Sequence, residues 1–201
     1  MPIIGVILAG GSSRRMAGPG KSGDKALAKL AGKSLFDHVL NRLAPQVDRV
    51  MVSGRSDYGS GLAVMADIPG GAEGPVAGIR AAYDRLAGDG ETATAIVTTP
   101  VDCPFLPGDL VARLSGLGAA AIAEGDDHLQ PAFGYWPMAV VAAHIEALER
   151  PGWLSLQRWA KICDAETVVF DQPGAFFNIN SPDDLATAEL LVAGQRKNAS
   201  S

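Results

Sequence analysis

Apolar residues along the chain follow two spacings that alternate with each other. Continuous apolar runs, which are typical of strands covered on both faces, occur at 3–8, 48–53, 62–67, 94–99, 119–124, 131–136 and 167–170. Apolar residues at helical spacing predict helices between them, at 34–43, 76–86, 108–117, 138–148, 154–161 and from 182 onward. Ser34 and Ser181 stand at the N-cap positions of the first and last helices. This alternation predicts an α/β domain with a mostly parallel sheet, whose ligands bind at the carboxyl ends of the strands.

The size of the chain fits one domain. With 201 residues, 47% of them hydrophobic and 19% charged, it can bury a large core without disulfides or a structural metal. We predict a single domain over residues 1–193 and a polar C-terminal tail over 194–201.

The charge and the run lengths disfavour several classes of partner. A formal net charge of −5 argues against a generally basic, nucleic-acid-binding surface. No apolar run approaches the length that crosses a bilayer, and no signal-type pattern is present. We therefore expect no nucleic acid, no membrane and a cytoplasmic location.

The first apolar run, 3–8, ends at a glycine pair followed by several cations. Gly10 and Gly11 let the backbone turn tightly and approach a ligand, because they carry no Cβ. Backbone N–H groups in such a turn can face an anion, and Arg14, Arg15 and Lys25 add charged donors for phosphate oxygens. This pattern predicts a triphosphate-binding loop. The alternative is an ordinary strand–turn–helix connection with solvated arginines.

Two better-known phosphate motifs do not fit this stretch. Gly20-Lys21-Ser22 resembles the end of a P-loop, but the position that requires the first glycine holds Arg15. Gly10-Gly11-Ser12 does not form the GxGxxG pattern of dinucleotide-binding domains. Walker-type ATPases and dinucleotide-binding enzymes are therefore disfavoured.

Asp102 is the second candidate for chemistry. It follows a buried strand directly, in a loop that Pro100 and Pro104 stiffen. A carboxylate held at a strand's carboxyl end is well placed to bind Mg²⁺ that bridges phosphate oxygens. The alternative is a turn aspartate that accepts a backbone hydrogen bond.

Four further polar residues are weaker candidates. Asp67 ends a strand and is suited either to a base or ribose contact or to starting the turn. Ser53, also at a strand end, is better explained as a turn hydroxyl. Asn178 and Asn180 project from the same face if their stretch is extended, and a pair of amides there needs a polar partner.

Three other residues are assigned to packing. Cys103 has no histidine placed by sequence to activate it, so a buried thiol is favoured over a nucleophile. Trp153 and Trp159 are expected to close a small satellite core rather than to stack on a ligand.

These residues together resemble the nucleotidyltransferases, most closely the molybdenum cofactor guanylyltransferases, over about residues 4–190. The marks are Leu8-Ala9-Gly10-Gly11 with Ser12-Ser13-Arg14-Arg15-Met16, Asp24-Lys25, Gly74-Pro75-Val76-Ala77-Gly78, Pro100-Val101-Asp102-Cys103-Pro104, Gln130-Pro131 and Phe177-Asn178-Ile179-Asn180-Ser181-Pro182. The resemblance implies a Rossmann-like three-layer fold with helices on both faces. It also implies transfer of GMP from GTP to the terminal phosphate of molybdopterin, with release of pyrophosphate.

The resemblance assigns roles to particular positions. It implies that Arg15 and Lys25 hold the triphosphate and that Asp102 coordinates Mg²⁺. Other implied nucleotide contacts are Leu8, Ala9, Gly10, Gly11, Ser53 and Asp67. Gly78, Asn178 and Asn180 would shape the site and engage molybdopterin. Transient contacts with cofactor-donor and acceptor molybdoenzyme proteins are also implied.

The chain departs from the family pattern in two places. An insertion at 17–23 lengthens the loop, and we interpret it as a flap that orders when nucleotide binds. Ser53 stands where the family often has Asn. The alternatives that stay open are a cytidylyltransferase of molybdopterin, a sugar-phosphate nucleotidyltransferase and a non-catalytic nucleotide-binding module.

Overall fold

The computed structural model describes residues 2–10, 24–90 and 92–198. Gly11, Arg15 and the insertion at 17–23 lie outside these residues, and so do 199–201 of the predicted tail.

Helices and strands alternate through the described residues. The strands are β1 (Ile3–Leu8), β2 (Lys29–Leu30), β3 (Lys33–Ser34), β4 (Arg49–Ser53), β5 (Ala63–Met65), β6 (Ala72–Glu73), β7 (Ala95–Pro100), β8 (Ala121–Gly125), β9 (His128–Pro137), β10 (Gly152–Trp153) and β11 (Glu166–Val169). The helices are α1 (Leu35–Leu43), α2 (Ala77–Gly88), α3 (Leu110–Ser115), α4 (Met138–Ala143), α5 (Ile145–Glu149), α6 (Leu156–Ile162) and α7 (Pro182–Asn198). Among the described residues, no helix has both the length and the apolar composition that are needed to cross a membrane.

In the part of the chain that the structure describes, seven strands form the central sheet, in the order β11-β8-β9-β7-β1-β4-β5. β1 pairs in parallel with β4 and β7, β4 with β5, and β11 with β8. β9 is antiparallel to both of its neighbours, β7 and β8. The predicted mostly parallel sheet is therefore confirmed, and β1, β4, β5 and β7 end at the same edge.

Helices cover both faces of the sheet, as the three-layer prediction requires. Buried residues of α1 and α3, such as Phe36, Leu43 and Leu110, form one core with one side of β1. The other side of β1 packs against α2 and α6, where Ile79 and Trp159 are fully buried. This double burial explains why the strand sequences are continuously apolar.

Several elements differ in detail from the predicted ones. The helix predicted at 138–148 is two short helices, because His144 has non-helical φ of −116° and separates α4 from α5. The short strand β6 lies between the strand predicted at 62–67 and the helix predicted at 76–86. α7 continues to Asn198, beyond the point where composition places the tail. The domain limits themselves stay a prediction.

Candidate active site

Three central strands end in line at the carboxyl edge of the sheet. Leu8 of β1 is in register with Ser53 of β4 and Pro100 of β7. Beyond these ends, Ala9 donates its N–H to the carbonyl of Ser53 at 2.7 Å, and Val101 donates to the carbonyl of Leu8 at 3.2 Å. The backbone on both sides of β1 is therefore fixed past the end of the strand.

Lys25 is the meeting point of the candidate polar residues at this edge. Its Nζ lies 2.5 Å from Oδ2 of Asp102 and 2.5 Å from Oδ1 of Asn180. Oδ1 of Asn178 is 3.4 Å away. The Lys25 and Asp102 side chains are only 11% and 18% exposed, so solvent screens this charge pair less than a surface pair. We call these four residues the Lys25 cluster.

A short turn with its own cap presents Lys25. Residues Lys25–Leu27 form a 3-10 helix, and Asp24 caps it by accepting the N–H of Ala26 at 3.0 Å. The other carboxylate oxygen of Asp24 accepts the hydroxyl of Tyr58 at 3.0 Å. The loop after β4 thus braces the residue that precedes Lys25.

The asparagine pair is fixed by the residue between its members. The side chain of Ile179 is fully buried beside Leu30, Leu35 and Phe105, and its N–H donates to the carbonyl of Asp102 at 2.9 Å. Because alternate residues of an extended stretch face opposite ways, Asn178 and Asn180 both face Lys25. The predicted shared face of the two asparagines is confirmed.

Asp184 supports the same stretch from the first turn of α7. Its Oδ2 accepts the N–H groups of Asn180 and Ser181, each at 2.9 Å, and its own N–H donates to Oγ of Ser181 at 3.1 Å. The hydrogen bond from the Asn180 backbone is the main cause that lowers the pKa of the Asp184 carboxyl, followed by the Ser181 side chain. Asp184 therefore stays ionised as an acceptor near neutral pH.

Cys103 is a packing residue, in agreement with the sequence. It is buried, and its Sγ lies 3.7 Å from both Oδ1 of Asp102 and the carbonyl oxygen of Phe176. Burial, and then the adjacent Asp102 charge, raise the pKa of the thiol. A thiolate nucleophile is correspondingly disfavoured.

Gly78 packs at the ends of β1 and β4. A Cβ added to Gly78 would lie 2.6 Å from Oγ of Ser53 and 2.7 Å from Cδ2 of Leu8. The first turn of α2 therefore rests directly on the two strand ends, and Ser53 is 4% exposed beneath it. Only a residue without a side chain permits this approach.

Some of the remaining predicted site residues lie within the described residues, and others lie outside them. Ala9 is buried, Gly10 is exposed, and Asp67 is exposed two residues beyond β5. Apart from its chain neighbours, the nearest atom of the described residues to a Cβ built on Gly10 is the carbonyl oxygen of Ser53, at 3.9 Å. Gly11 and Arg15, which complete the predicted loop, lie outside the described residues.

Tyr58 and Asp184 were not identified as site residues from the sequence. Ser181 and Asp184 have the spacing of a capping box, which would have found Asp184. No local pattern marks Tyr58, because its link to Asp24 spans 34 positions.

The prediction for Trp153 is wrong. Trp159 is fully buried as expected, but Trp153 is 72% exposed. The two-residue strand β10 ties its backbone to β6, and this pairing keeps its side chain out of the core that Trp159 joins.

Comparison with known proteins places this chain in a defined class. A family model described as the MobA-like NTP transferase domain matches residues 5–163. A relative named molybdenum cofactor guanylyltransferase from Cereibacter sphaeroides is 41% identical over 198 residues, covering 96% of this chain and 98% of that protein. A relative of the same name from Rhodobacter capsulatus is 44% identical over 195 residues, covering 94% and 96%.

A solved structure shares the fold. Molybdopterin-guanine dinucleotide biosynthesis protein A from Archaeoglobus fulgidus has a TM-score of 0.68 at 22% identity, covering 96% of this chain and 99% of that one. The protein is therefore an enzyme of the nucleotidyltransferase class. The chain belongs to the MobA-like NTP transferase family.

Proposed function

We propose that this enzyme transfers GMP from GTP to the terminal phosphate of molybdopterin and releases pyrophosphate. The observation that carries the proposal is the Lys25 cluster, which combines one cation, one carboxylate and two amides at the strand ends. The names of the relatives from Cereibacter sphaeroides and Rhodobacter capsulatus support GTP and molybdopterin as the substrates.

The reaction requires positioning and charge neutralisation more than covalent chemistry. An oxygen of the molybdopterin phosphate attacks the α-phosphorus of GTP, and the bond from that phosphorus to the bridging oxygen breaks. The electron pair of this bond leaves with pyrophosphate. The attacking phosphate is already ionised, so no general base is required. The Lys25 ammonium group neutralises charge on the triphosphate.

The residues of the cluster suit Mg²⁺. Among the described residues, no three His, Cys, Asp or Glu side chains gather as a metal site. However, Oδ2 of Asp102 and Oδ1 of Asn180 converge on the Lys25 ammonium, and hard oxygen donors of this kind are those that Mg²⁺ prefers. Asp102, with amide oxygens beside it, would hold the ion. The bound ion would supply electrostatic stabilisation of the phosphate oxygens.

The two substrates are assigned to different sides of this centre. We propose that the loop after β1 receives the nucleotide through Leu8, Ala9, Gly10 and Gly11, with Arg15 on the triphosphate. Ser53 and Asp67, at the ends of β4 and β5, complete the nucleotide side. Gly78 shapes the site, and Asn178 and Asn180 face the molybdopterin side. The predicted cytoplasmic location and protein contacts stay predictions.

Pyrophosphate release tests the proposal. The enzyme is incubated with molybdopterin, Mg²⁺ and either GTP or CTP, and we expect release with GTP. Release with CTP alone would reassign the base, and GTP binding without any release would indicate a non-catalytic module. Asp102→Asn should lower turnover by at least about a hundredfold. The matched control is Asp109→Asn in the same loop, where the carboxylate is 62% exposed and lies near Arg113.

A further inference from the structure

Trp153, on the short strand β10, is the exposed tryptophan of this protein. Trp153 is 72% exposed, whereas Trp136 and Trp159, the other two of the three tryptophans, are fully buried. Single exposed apolar residues are common at protein surfaces, so the location of this indole matters more than its exposure.

The backbone holds this indole in a defined place. Gly152 and Trp153 form β10, which pairs in parallel with β6 so that Trp153 lies opposite Glu73. The N–H of Leu154 donates to the carbonyl of Glu73 at 3.1 Å. Leu154 and Leu156 are 8% and 5% exposed, so the residues that follow the indole are anchored in the core. The side chain is exposed, but its attachment is rigid.

The six-membered ring of the indole rests on a glycine. A Cβ built on Gly74 would lie 3.1 Å from Cη2, Cζ2 and Cζ3 of Trp153. Gly74 also has a φ of +90°, a backbone conformation that residues with a side chain rarely adopt. The conformation and the close contact both require glycine at this position, and the contact restricts where the indole can lie.

The same glycine connects the indole to the active-site edge. The carbonyl of Gly74 accepts the N–H of Ala77 at 3.0 Å, where α2 begins. Gly78, one residue further, rests on Leu8 of β1 and Ser53 of β4. The Lys25 cluster lies on the other side of β1, at the end of β7. The indole is therefore connected, through Gly74 and the start of α2, to the ends of β1 and β4.

We propose that Trp153 is a stacking platform for the flat aminopyrimidinone ring of a substrate. The chemistry that it fits is a purine or pterin ring carrying the 2-amino-4-oxo pyrimidine unit that guanine and molybdopterin share. This inference rests on the proposed function, since both rings come from its substrates. Stacking of such rings on an aromatic side chain contributes substantially to affinity and accepts any flat π-face.

Binding and steady-state measurements test the platform. Quenching of tryptophan emission by GTP or by molybdopterin, each alone with Mg²⁺, reports on Trp153 where it is present in the native enzyme and lost in Trp153→Phe. Trp153→Ala should raise the Kd and KM for the stacked substrate by about five- to a hundredfold. It should leave the KM for the other substrate unchanged. Trp153→Phe, which keeps an aromatic face, should restore most of the affinity.

Measuring GTP and molybdopterin separately shows which substrate supplies the stacked ring. A loss confined to GTP assigns the platform to guanine, and a loss confined to molybdopterin assigns it to the pterin. If both variants bind both substrates like the native enzyme, the inference is overturned. It is also overturned if Trp153→Phe has the native Tm but binds as weakly as Trp153→Ala. Failure of the proposed function is a different result, namely no pyrophosphate from the native enzyme, and the quenching data stand apart from it.

Discussion

Gly78 offers a direct test of how α2 shapes the ends of β1 and β4. Gly78→Ala adds one methyl group where Oγ of Ser53 would be 2.6 Å away and Cδ2 of Leu8 2.7 Å away. Oγ and Cδ2 can move by rotation of their side chains. The Cβ of Ser53, at 2.9 Å, moves only with the backbone of β4. The substitution should therefore displace the strand ends that the proposed nucleotide site uses.

A second glycine of the same helix isolates this steric effect. Around Gly88, the last residue of α2, no atom of the described residues lies within 4 Å of an added Cβ, apart from its chain neighbours and the backbone of its own helix. Both alanines gain up to about 1 kcal/mol in helix propensity, but only Gly78→Ala suffers overpacking, which costs about 1–3 kcal/mol. Gly78→Ala should therefore have a Tm about 2–12 °C below that of Gly88→Ala.

Thermal unfolding and steady-state kinetics provide the measurement. We expect Gly78→Ala to raise the KM for GTP, because Leu8 and Ser53 shift, while Gly88→Ala keeps the native KM. The reasoning is refuted if the two variants have the same Tm and the same KM, because α2 would then have room to move away from the strands.

Two further substitutions test how the site and the first helix are held. Tyr58→Phe removes the hydroxyl that donates to Asp24 but keeps the ring contact of position 58 with Phe36, so turnover should fall about two- to tenfold with little change in Tm. The pKa of the Tyr58 hydroxyl is raised to about 12, mainly by burial, so this ratio should be constant between pH 7 and pH 10. Ser34→Ala removes the N-cap of α1 and should destabilise the protein by about 0.5–2 kcal/mol in urea unfolding. The Ser34 side chain lowers the pKa of the Asp37 carboxyl below 3.8, so part of the difference from native should disappear as pH falls below 3.8.

A specific result would contradict each of these two predictions. Native turnover in Tyr58→Phe would show that the Lys25 turn holds without the brace. For the cap, the sign of the pH effect is decisive. A folded-state pKa below the unfolded value contributes stability above that value, and this stability is lost on acidification. A difference between Ser34→Ala and native that grows at low pH would contradict the capping box.

The local features of the site were predictable from the sequence. The apolar run 3–8 ends at Leu8, and the buried run before Asp102 ends at Pro100, as β1 and β7 show. The alternation around Ile179 correctly predicted that the two asparagines share a face. These features follow from side-chain periodicity and chain turning within a few residues, which local sequence determines.

The contacts across the chain were not predictable in this way. Lys25 is 77 positions from Asp102 and 155 positions from Asn180. The sequence assigned these residues to triphosphate, metal and acceptor separately, and nothing local indicated that one ammonium group contacts all of them. These side chains come together because of which strands are neighbours in the sheet. β7 pairs with β1, although the two strands lie far apart along the chain.

The sequence by itself therefore determined the alternation of strands and helices and the family. The tertiary structure decided that Lys25, Asp102 and Asn180 form one cluster and that Tyr58 and Asp184 brace it. It also decided that Trp153 lies in solvent rather than in the core. The physical reason is that periodicity shows which face of an element is apolar, whereas burial and contact depend on the element packed against that face. For Trp153, the pairing of β10 with β6 determined the outcome.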